Sequence, residues 1–478
     1  NYNEFEVGIP PQFDSVLRPY QKVGFKWLST MDYYGFGGIL ADDMGLGKTV
    51  QIIGVISDYV CSGKGVKQSL VVCPTSLVYN WQKEIEKFAP GLKSDLIVGP
   101  PGKREDALNN SAAHVLITTY DTLKRDIKAY KKKSFKFLII DEAQYIKNPL
   151  TQNSKAIKLV KGDAKFALTG TPIENSLAEL WSIFDFIMPG YLYNLSKFNK
   201  IYTKPILSGE GTSVQLRSRI KPFILRRTKK EVLTELPDKI ESTLYADMTE
   251  EQKRIYSAFL FEARGEFDSI KSSGEINRSK IKILALITRL RQICCDPSII
   301  IEDYGGGSGK LETVYELISQ SIESGHKILL FSQFTKMLNV IKTHLDDKGV
   351  PFYYLDGSVP SKIRSDMCTE FNNGGRDIFL ISLKAGGTGL NLTAADIVIH
   401  YDPWWNTAVM DQATDRAHRI GQEKVVHVFN VVSKDSIEEK ILALQEKKRG
   451  LISDVLEEGE NFINKMSEQE LESLFTYS

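Results

Sequence analysis

The stretch GGILADDMGLGKT, residues 37–49, places a lysine and a threonine directly after closely spaced glycines. It reads as a strand, a glycine loop and the start of a helix. Gly45 and Gly47 let backbone N–H groups close on phosphate, Lys48 would reach the β- and γ-phosphates, and the Thr49 hydroxyl would bind Mg²⁺. Asp42 stands where the first glycine of such a loop is expected, and its neighbour Asp43 joins the candidate nucleotide-binding set. Downstream, FKFLIIDEAQ is a buried strand ending in two acids. Asp141 at its carboxyl end would hold Mg²⁺, and Glu142 would orient and polarise an attacking water. Phosphoryl transfer needs such parts because it depends on positioning and charge neutralisation rather than on covalent chemistry by the protein. Two adjacent acids at a strand tip could otherwise simply cap a helix.

Weaker signals surround this pair. Gln21 in LRPYQ could read an adenine edge with its amide. Thr169 and Thr171 in LTGTP offer hydroxyls on the γ-phosphate side. In the second half of the chain SLKAGGTGLNL follows a strand pattern; Gly387 allows close backbone approach to phosphate, while Thr388 and Asn391 add donors. DQATDRAHRIGQ, residues 411–422, reads as one helix ending at Gly421, which would put Gln412, Arg416 and Arg419 on a single face. Solvated surface charge is the plain reading of that face, since Asp415 and Arg419 have the spacing of a helical ion pair. The sharper reading makes the arginines fingers on the γ-phosphate, because a guanidinium stays charged and grips phosphate bidentately.

Elements able to position these residues are visible in the hydropathy pattern. The 478 residues are enough for two or more domains. Short β-branched runs (GGIL, SLVVC, VLITT, FLII and KFAL, then KILLF, FYYL, IFLIS, IVIH and VHVFN) alternate with helical patterns, as in buried parallel strands. The expected class is α/β, with two parallel-sheet lobes and long helices between them. The expected segments are residues 1–188 for the ATP-binding lobe and 189–240 for its helical protrusion. Residues 241–305 would form the protrusion of the second lobe with the linker, 306–450 that lobe, and 451–478 an acidic helical tail. Strand signals fade between about Pro189 and Asp296.

Net charge is +1, so any nucleic acid must be bound by local patches. LKRDIKAYKKKSFK holds seven basic residues and one acid; RSRIKPFILRRTKK holds seven and none. Either could be a solvated face, and Arg226 and Arg227 could equally be internal struts. Cys61, Cys73, Cys294, Cys295 and Cys368 show no metal-ligand spacing and are too few for a disulfide framework. With no apolar run near membrane length and no signal peptide, the expectation is a soluble intracellular protein. The absence of a nuclear-localisation run points towards the cytoplasm or nucleoid of a prokaryote rather than a nucleus.

Taken in order, DDMGLGKT, CPTSLVYNW, DEAQYIKN, LTGTPIEN, FILRRTK, LRQICCDP, YYLDGS, AGGTGLNL, DPWWN and DQATDRAHRIGQ resemble helicase superfamily 2, and within it the Swi/Snf branch. The recombination-associated and transcription-recycling types are the most similar. The resemblance runs from Arg18 to about Ser433. It implies that the lobes are RecA-like, with helical protrusions between and on them. It also implies ATP and Mg²⁺ as cofactors and a DNA-dependent ATPase that hydrolyses ATP in the cleft between lobes. Such an enzyme tracks along double-stranded DNA without strand separation, independently of sequence. A DNA-bound protein to be remodelled or displaced is the implied partner, with no membrane and a monomer in solution. Carried over by motif, Pro74, Thr75, Thr118 and Thr119 would hold backbone phosphates on the first lobe. Ser332, Gln333, Lys384, Thr388, Asn391 and Trp405 would do so on the second. Gln144 departs from the family's usual histidine; it can still donate and accept hydrogen bonds, so hydrolysis should survive. The alternatives are a strand-separating superfamily 2 helicase on DNA or RNA, a metabolic phosphotransferase with a phosphate loop, and a catalytically silent DNA-binding scaffold. The second-lobe motifs argue against the phosphotransferase, and intact Lys48, Asp141 and Glu142 against the scaffold.

Overall fold

A computed structural model describes residues 7–63, 67–170, 177–207, 213–233, 236–274, 276, 279–386, 390–404, 407–452 and 467–476. The chain forms two units, residues 1–235 and 236–478. In the first, β1 (Gly38–Leu40), β2 (Ser69–Cys73), β3 (Ser94–Ile97), β4 (Val115–Thr119), β5 (Ser134–Ile140), β6 (Lys161–Leu168) and β7 (Ile224–Leu225) make one sheet, in the order β3-β4-β2-β5-β6-β1-β7. All the pairings are parallel, with β1 held between β6 (Ile39 opposite Ala167) and β7 (Ile39 opposite Ile224). Central strands β2 and β4 are buried along their whole length, which is why they read as continuous apolar runs. Helices α1 (Pro19–Tyr33), α2 (Lys48–Cys61) and α3 (Val78–Phe88) pack on this sheet around Phe25, Trp27, Ile53, Ile56, Trp81 and Ile85.

The second unit has the order β10-β11-β9-β12-β13-β8, again all parallel. Its strands are β8 (Lys239–Ala246), β9 (Ile328–Ser332), β10 (Phe352–Leu355), β11 (Ile378–Ser382), β12 (Ile397–His400) and β13 (Val426–Ser433). A helical hairpin, α4 (Glu250–Ser272) and α5 (Lys280–Cys295), stands beside the sheet. Thr249 caps α4 by accepting from Gln252 N at 3.2 Å. Tyr256, Leu260, Ala263 and Phe267 recur at helical spacing and bury against Ile283, Ile287 and Leu290. The tail closes this core: within the helix Glu468–Leu474 and just after it, Leu471, Leu474 and Phe475 are buried, Phe475 stacks on Phe267 at 5.0 Å, and Lys271 meets Glu472 at 2.8 Å. Among the described residues no helix is long and apolar enough to cross a membrane.

Three expectations need correction. The segment 189–296 is not free of strands, because Ile224–Leu225 and Lys239–Ala246 are strands of the first and second sheets. β7 spans two residues, and β8 is an edge strand with a polar, mostly unburied sequence, so neither shows as an apolar run. Residues 411–422 are not one helix: α6 (Thr407–Thr414) ends early, and a series of turns follows through Gly421. Arg416 and Arg419 therefore do not share a helical face with Gln412.

Candidate nucleotide-hydrolysing site

The first unit brings its candidate residues to the carboxyl ends of three neighbouring parallel strands. β1 leads into the glycine loop, β5 into Asp141 and β6 into Thr169, and these strands lie side by side in the order β5-β6-β1. Open α/β sheets bind ligands at this edge. Gly47 adopts φ +72° as the residue before α2, where a side chain would strain the backbone and press on the Gln21 amide. Lys48 and Thr49 then occupy the first turn of a 14-residue helix, whose N–H groups and dipole favour an anion. The Lys48 ammonium rests on loop carbonyls, at 2.6 Å from Asp42 O and 3.4 Å from Asp43 O. Burial pushes its pKa down, opposed by the carboxylates of Glu142, Asp42, Asp141 and Asp43.

Asp141 extends the ladder beyond β5, its N–H donating to Val72 O at 2.9 Å. Its Oδ1 accepts from Glu142 N at 2.9 Å and its Oδ2 from the Trp81 indole at 2.9 Å, while Tyr120 donates to its carbonyl at 2.8 Å. Burial and then the neighbouring Glu142 push its pKa up, against the Trp81 hydrogen bond and Lys48. The Asp141 carboxylate at the end of β5 and the Thr49 hydroxyl in the first turn of α2 are hard-oxygen donors of the kind that suit Mg²⁺.

Glu142 is buried at φ +53°, ψ +60°, a left-handed conformation that non-glycine residues rarely adopt outside functional sites. Its Oε2 accepts from Gln144 Nε2 at 2.6 Å, and Gln144 Oε1 accepts from the Thr169 hydroxyl at 3.4 Å. The glutamine standing in for histidine thus links the acid to the strand end carrying Thr169. Thr171 lies outside the described residues.

Other candidates fall differently. Gln21 is buried; its Nε2 donates to Leu46 O at 3.0 Å and its Oε1 accepts from Arg18 N at 3.0 Å. The amide expected to read adenine is thus engaged in bracing the glycine loop. Asp43 Oδ2 accepts from Lys229 N at 3.0 Å. Among the expected DNA contacts of the first unit Thr75 is exposed, but Pro74 is buried. Thr118 is fully buried between Ile97 O (3.3 Å) and the Tyr130 hydroxyl (3.1 Å), and Thr119 caps the helix Tyr120–Arg125 by accepting from Thr122 N at 3.1 Å. Both hydroxyls are thus engaged by partners within the first unit.

In the second unit Lys384 and Asn391 are exposed. Ser332 is buried and bonded to Phe334 N at 3.1 Å, which removes its hydroxyl from the expected set. Gln333 donates its backbone N–H to Asp402 at 3.1 Å and turns its amide oxygen, assigned from its neighbours, to the buried Arg291. That side chain, too, is engaged inside the unit rather than presented to DNA. Gly387, Thr388 and Trp405 lie outside the described residues. Arg416 is 4% exposed and donates from Nε to Gly386 O at 3.0 Å; Arg419 is half-buried and donates to Leu390 O at 3.4 Å; Gln412 is half-buried. The two arginines therefore hold the two ends of the glycine loop. Two residues with direct bearing on the site were passed over in the sequence: Trp81 was read only as part of a motif, and Gln51 gave no signal beyond its place on α2.

The SNF2-related domain matches residues 20–299, and the helicase conserved C-terminal domain matches residues 309–421. A putative ATP-dependent helicase/translocase of Bacillus subtilis, YwqA, is 42% identical over 485 residues, covering 99% of this chain and 52% of the relative. An uncharacterised ATP-dependent helicase of Mycoplasma pneumoniae is 40% identical over 479 residues, covering 99% of this chain and 45% of the relative. The solved SWI2/SNF2 ATPase core of Sulfolobus solfataricus in complex with dsDNA is 39% identical, with 97% of each chain covered and a TM-score of 0.47. The chain spans about half the length of the curated relatives it matches. Lys48, Asp141 and Glu142 meet at one sheet edge inside the first matched region, and that match covers more than half of the sequence: the chain belongs to the SNF2-related family.

Proposed function

We propose that the chain is the ATP-hydrolysing motor of a translocase that moves along double-stranded DNA without separating its strands. The observation that carries the reading is the set at the carboxyl ends of β1, β5 and β6: Lys48 on its loop, Asp141 with three hydrogen bonds, and Glu142 joined through Gln144 to Thr169. The triphosphate of ATP would lie on the N-terminus of α2, with Lys48 leaving the loop carbonyls for the β- and γ-phosphates. Glu142 accepts a proton from the attacking water, and its link through Gln144 to Thr169 makes its orientation sensitive to the γ-phosphate side. Mg²⁺, held by Asp141 and Thr49, would neutralise charge on the phosphates. Arg416 and Arg419 remain the candidate cations of the second unit, since a guanidinium stays charged and grips phosphate bidentately. Thr75, Lys384 and Asn391 are the exposed members of the DNA-contact set, and hydroxyl, amide and lysine donors grip backbone phosphate without reading bases. A protein bound to that DNA is the natural cargo.

One set of assays tests this. Turnover is measured without nucleic acid and with duplex DNA, single-stranded DNA and RNA. Duplex DNA should stimulate it, with a log–log salt slope that rises by roughly one unit per neutralised phosphate. A third strand should be displaced from a triplex, while a forked duplex stays paired. Equal turnover with and without duplex DNA at low salt refutes the DNA assignment, and efficient release of a strand from the fork refutes the double-stranded mode.

A further inference from the structure

The glycine loop carries Asp42 where a glycine is expected, and the structure shows what meets its carboxylate. Asp42 is fully buried. Arg227, on the segment after β7 and 185 residues away in sequence, meets it with two nitrogens, Nε on Oδ1 at 2.8 Å and Nη2 on Oδ2. Nη2 also reaches Gln51 Oε1 at 2.9 Å, and Nη1 donates to Tyr20 O. Gln51, fully buried on α2, closes the network by donating to Asp42 Oδ2 at 3.3 Å and Gly47 O at 3.1 Å. α1 passes so close that a Cβ on Gly24 would overlap Gln51 Oε1.

The backbone repeats the connection. Ala41 N donates to Leu225 O at 2.7 Å, Asp43 N to Arg227 O at 3.0 Å, and Lys229 N to Asp43 Oδ2 at 3.0 Å. Residues 225–229 thus line the loop from Ala41 to Asp43. Asp42 and Asp43 are the residues whose carbonyls hold Lys48. A buried ion pair is a weak source of stability, because desolvation offsets most of its attraction. A bidentate guanidinium does fix orientation.

We propose that residues 225–229 clamp the nucleotide loop, and that Arg227 is a positioning residue acting through Asp42 on Lys48 to preset the loop for a nucleoside triphosphate. The proposal rests on the reading of residues 42–49 as the nucleotide site.

The test compares Arg227→Met, the double variant Asp42→Asn/Arg227→Met, Arg227→Lys and Lys48→Ala. Each is followed by thermal unfolding, calorimetric affinity for a non-hydrolysable ATP analogue, and KM and kcat with duplex DNA. Arg227→Met strands a buried carboxylate and should lower the unfolding midpoint. The double variant carries no charge there and should regain most of that midpoint. Its affinity for the analogue should nevertheless stay at least about tenfold weaker than wild type, since small misplacements of a phosphate cradle are expensive. KM should rise by a similar factor and kcat should change less. A double variant that recovers both midpoint and affinity overturns the proposal and leaves the pair a strut. Should the double variant not fold, Arg227→Lys decides: it keeps the charge without the fork, and wild-type affinity there overturns the proposal. Lys48→Ala with normal ATP affinity and turnover refutes the nucleotide-site reading itself, whatever the Arg227 variants do.

Discussion

Both units place a glycine-rich segment after a parallel strand, yet the two differ in where their lysine stands and in what braces them. In the first unit the loop after β1 bears its own cation, Lys48, at the start of a long helix, and is braced by Gln21, Gln51 and Arg227. In the second, β11 leads into the short helix Leu383–Gly386, where Lys384 stands before the glycines, and the two ends of the glycine segment are held by Arg416 and Arg419, which come from the turns after α6. Both are tied by arginines from elsewhere in the chain, but only the first carries its lysine after the glycines, at the start of a long helix. The same strand-and-loop plan thus serves two different placements of charge.

The largest expected effect tests that contrast directly. Lys48→Ala, Arg416→Ala and Arg419→Ala should each lower DNA-stimulated turnover at least about a hundredfold. Only Lys48→Ala should also abolish tight ATP binding; with the arginine variants, ATP and duplex DNA affinity should stay within a few-fold of wild type. Because Arg416 is buried on Gly386 O, its removal should also lower the stability of the second unit by about 1–3 kcal/mol, and Arg419→Ala should do so by less. Near-normal turnover in both arginine variants breaks the comparison and returns the pair to the fold alone.

Acid should separate the units next. In the second unit His400 is buried, bonded to Thr414 Oγ1 at 3.0 Å and stacked on Phe331, and burial lowers its pKa from 6.5 to about 4. The unfolded chain takes up a proton near pH 6.5 that the folded ring refuses until about pH 4. Stability from this group is therefore present above pH 6.5 and lost as pH falls, by about 2 kcal/mol at pH 5 and about 3 kcal/mol at pH 4. Asp141 in the first unit, pushed up by burial and then by Glu142, and Asp402 in the second, raised to about 6 by burial, have the opposite sign, since their protonated forms are favoured by folding. Urea unfolding of wild type and His400→Asn at pH 7 and pH 5 isolates the histidine. An equal loss in both proteins between those pH values refutes its role.

A smaller effect sharpens the first unit alone. Gln144→Leu removes the link between Glu142 and Thr169 and should lower kcat about tenfold with little change in ATP affinity. Gln144→His, restoring the family's usual residue, should keep most of the activity. A leucine variant with wild-type kcat would show that Glu142 needs no such link. Smallest is the tail: Phe475→Ala should destabilise the second unit by about 3 kcal/mol by opening its contact with Phe267, and change ATP affinity not at all.

Much of the site was legible because its chemistry is local in sequence. A glycine loop with Lys48 and Thr49, and an apolar run ending at Asp141 and Glu142, carry their meaning in fewer than fifteen residues each, and strand ends place them without further information. Central strands were legible for the same reason, being buried on both faces. The amino-acid order by itself determined the α/β class, the two sheets, and the placement of the glycine loop and the acid pair at strand ends. Only the tertiary structure decided what the long-range partners do. No local pattern reveals that β8 joins the second sheet, because an edge strand needs no apolar run. None reveals that Thr118 and Ser332 face inward, because a hydroxyl suits a phosphate and a buried carbonyl equally well. Helical spacing suggested a shared face for Arg416 and Arg419, but the chain turns after Thr414, and hydrogen bonds to Gly386 and Leu390 set their positions instead. Asp42 showed as a departure from pattern; its meaning waited for Arg227, 185 residues away, because a buried charge takes its partner from whatever the fold brings beside it.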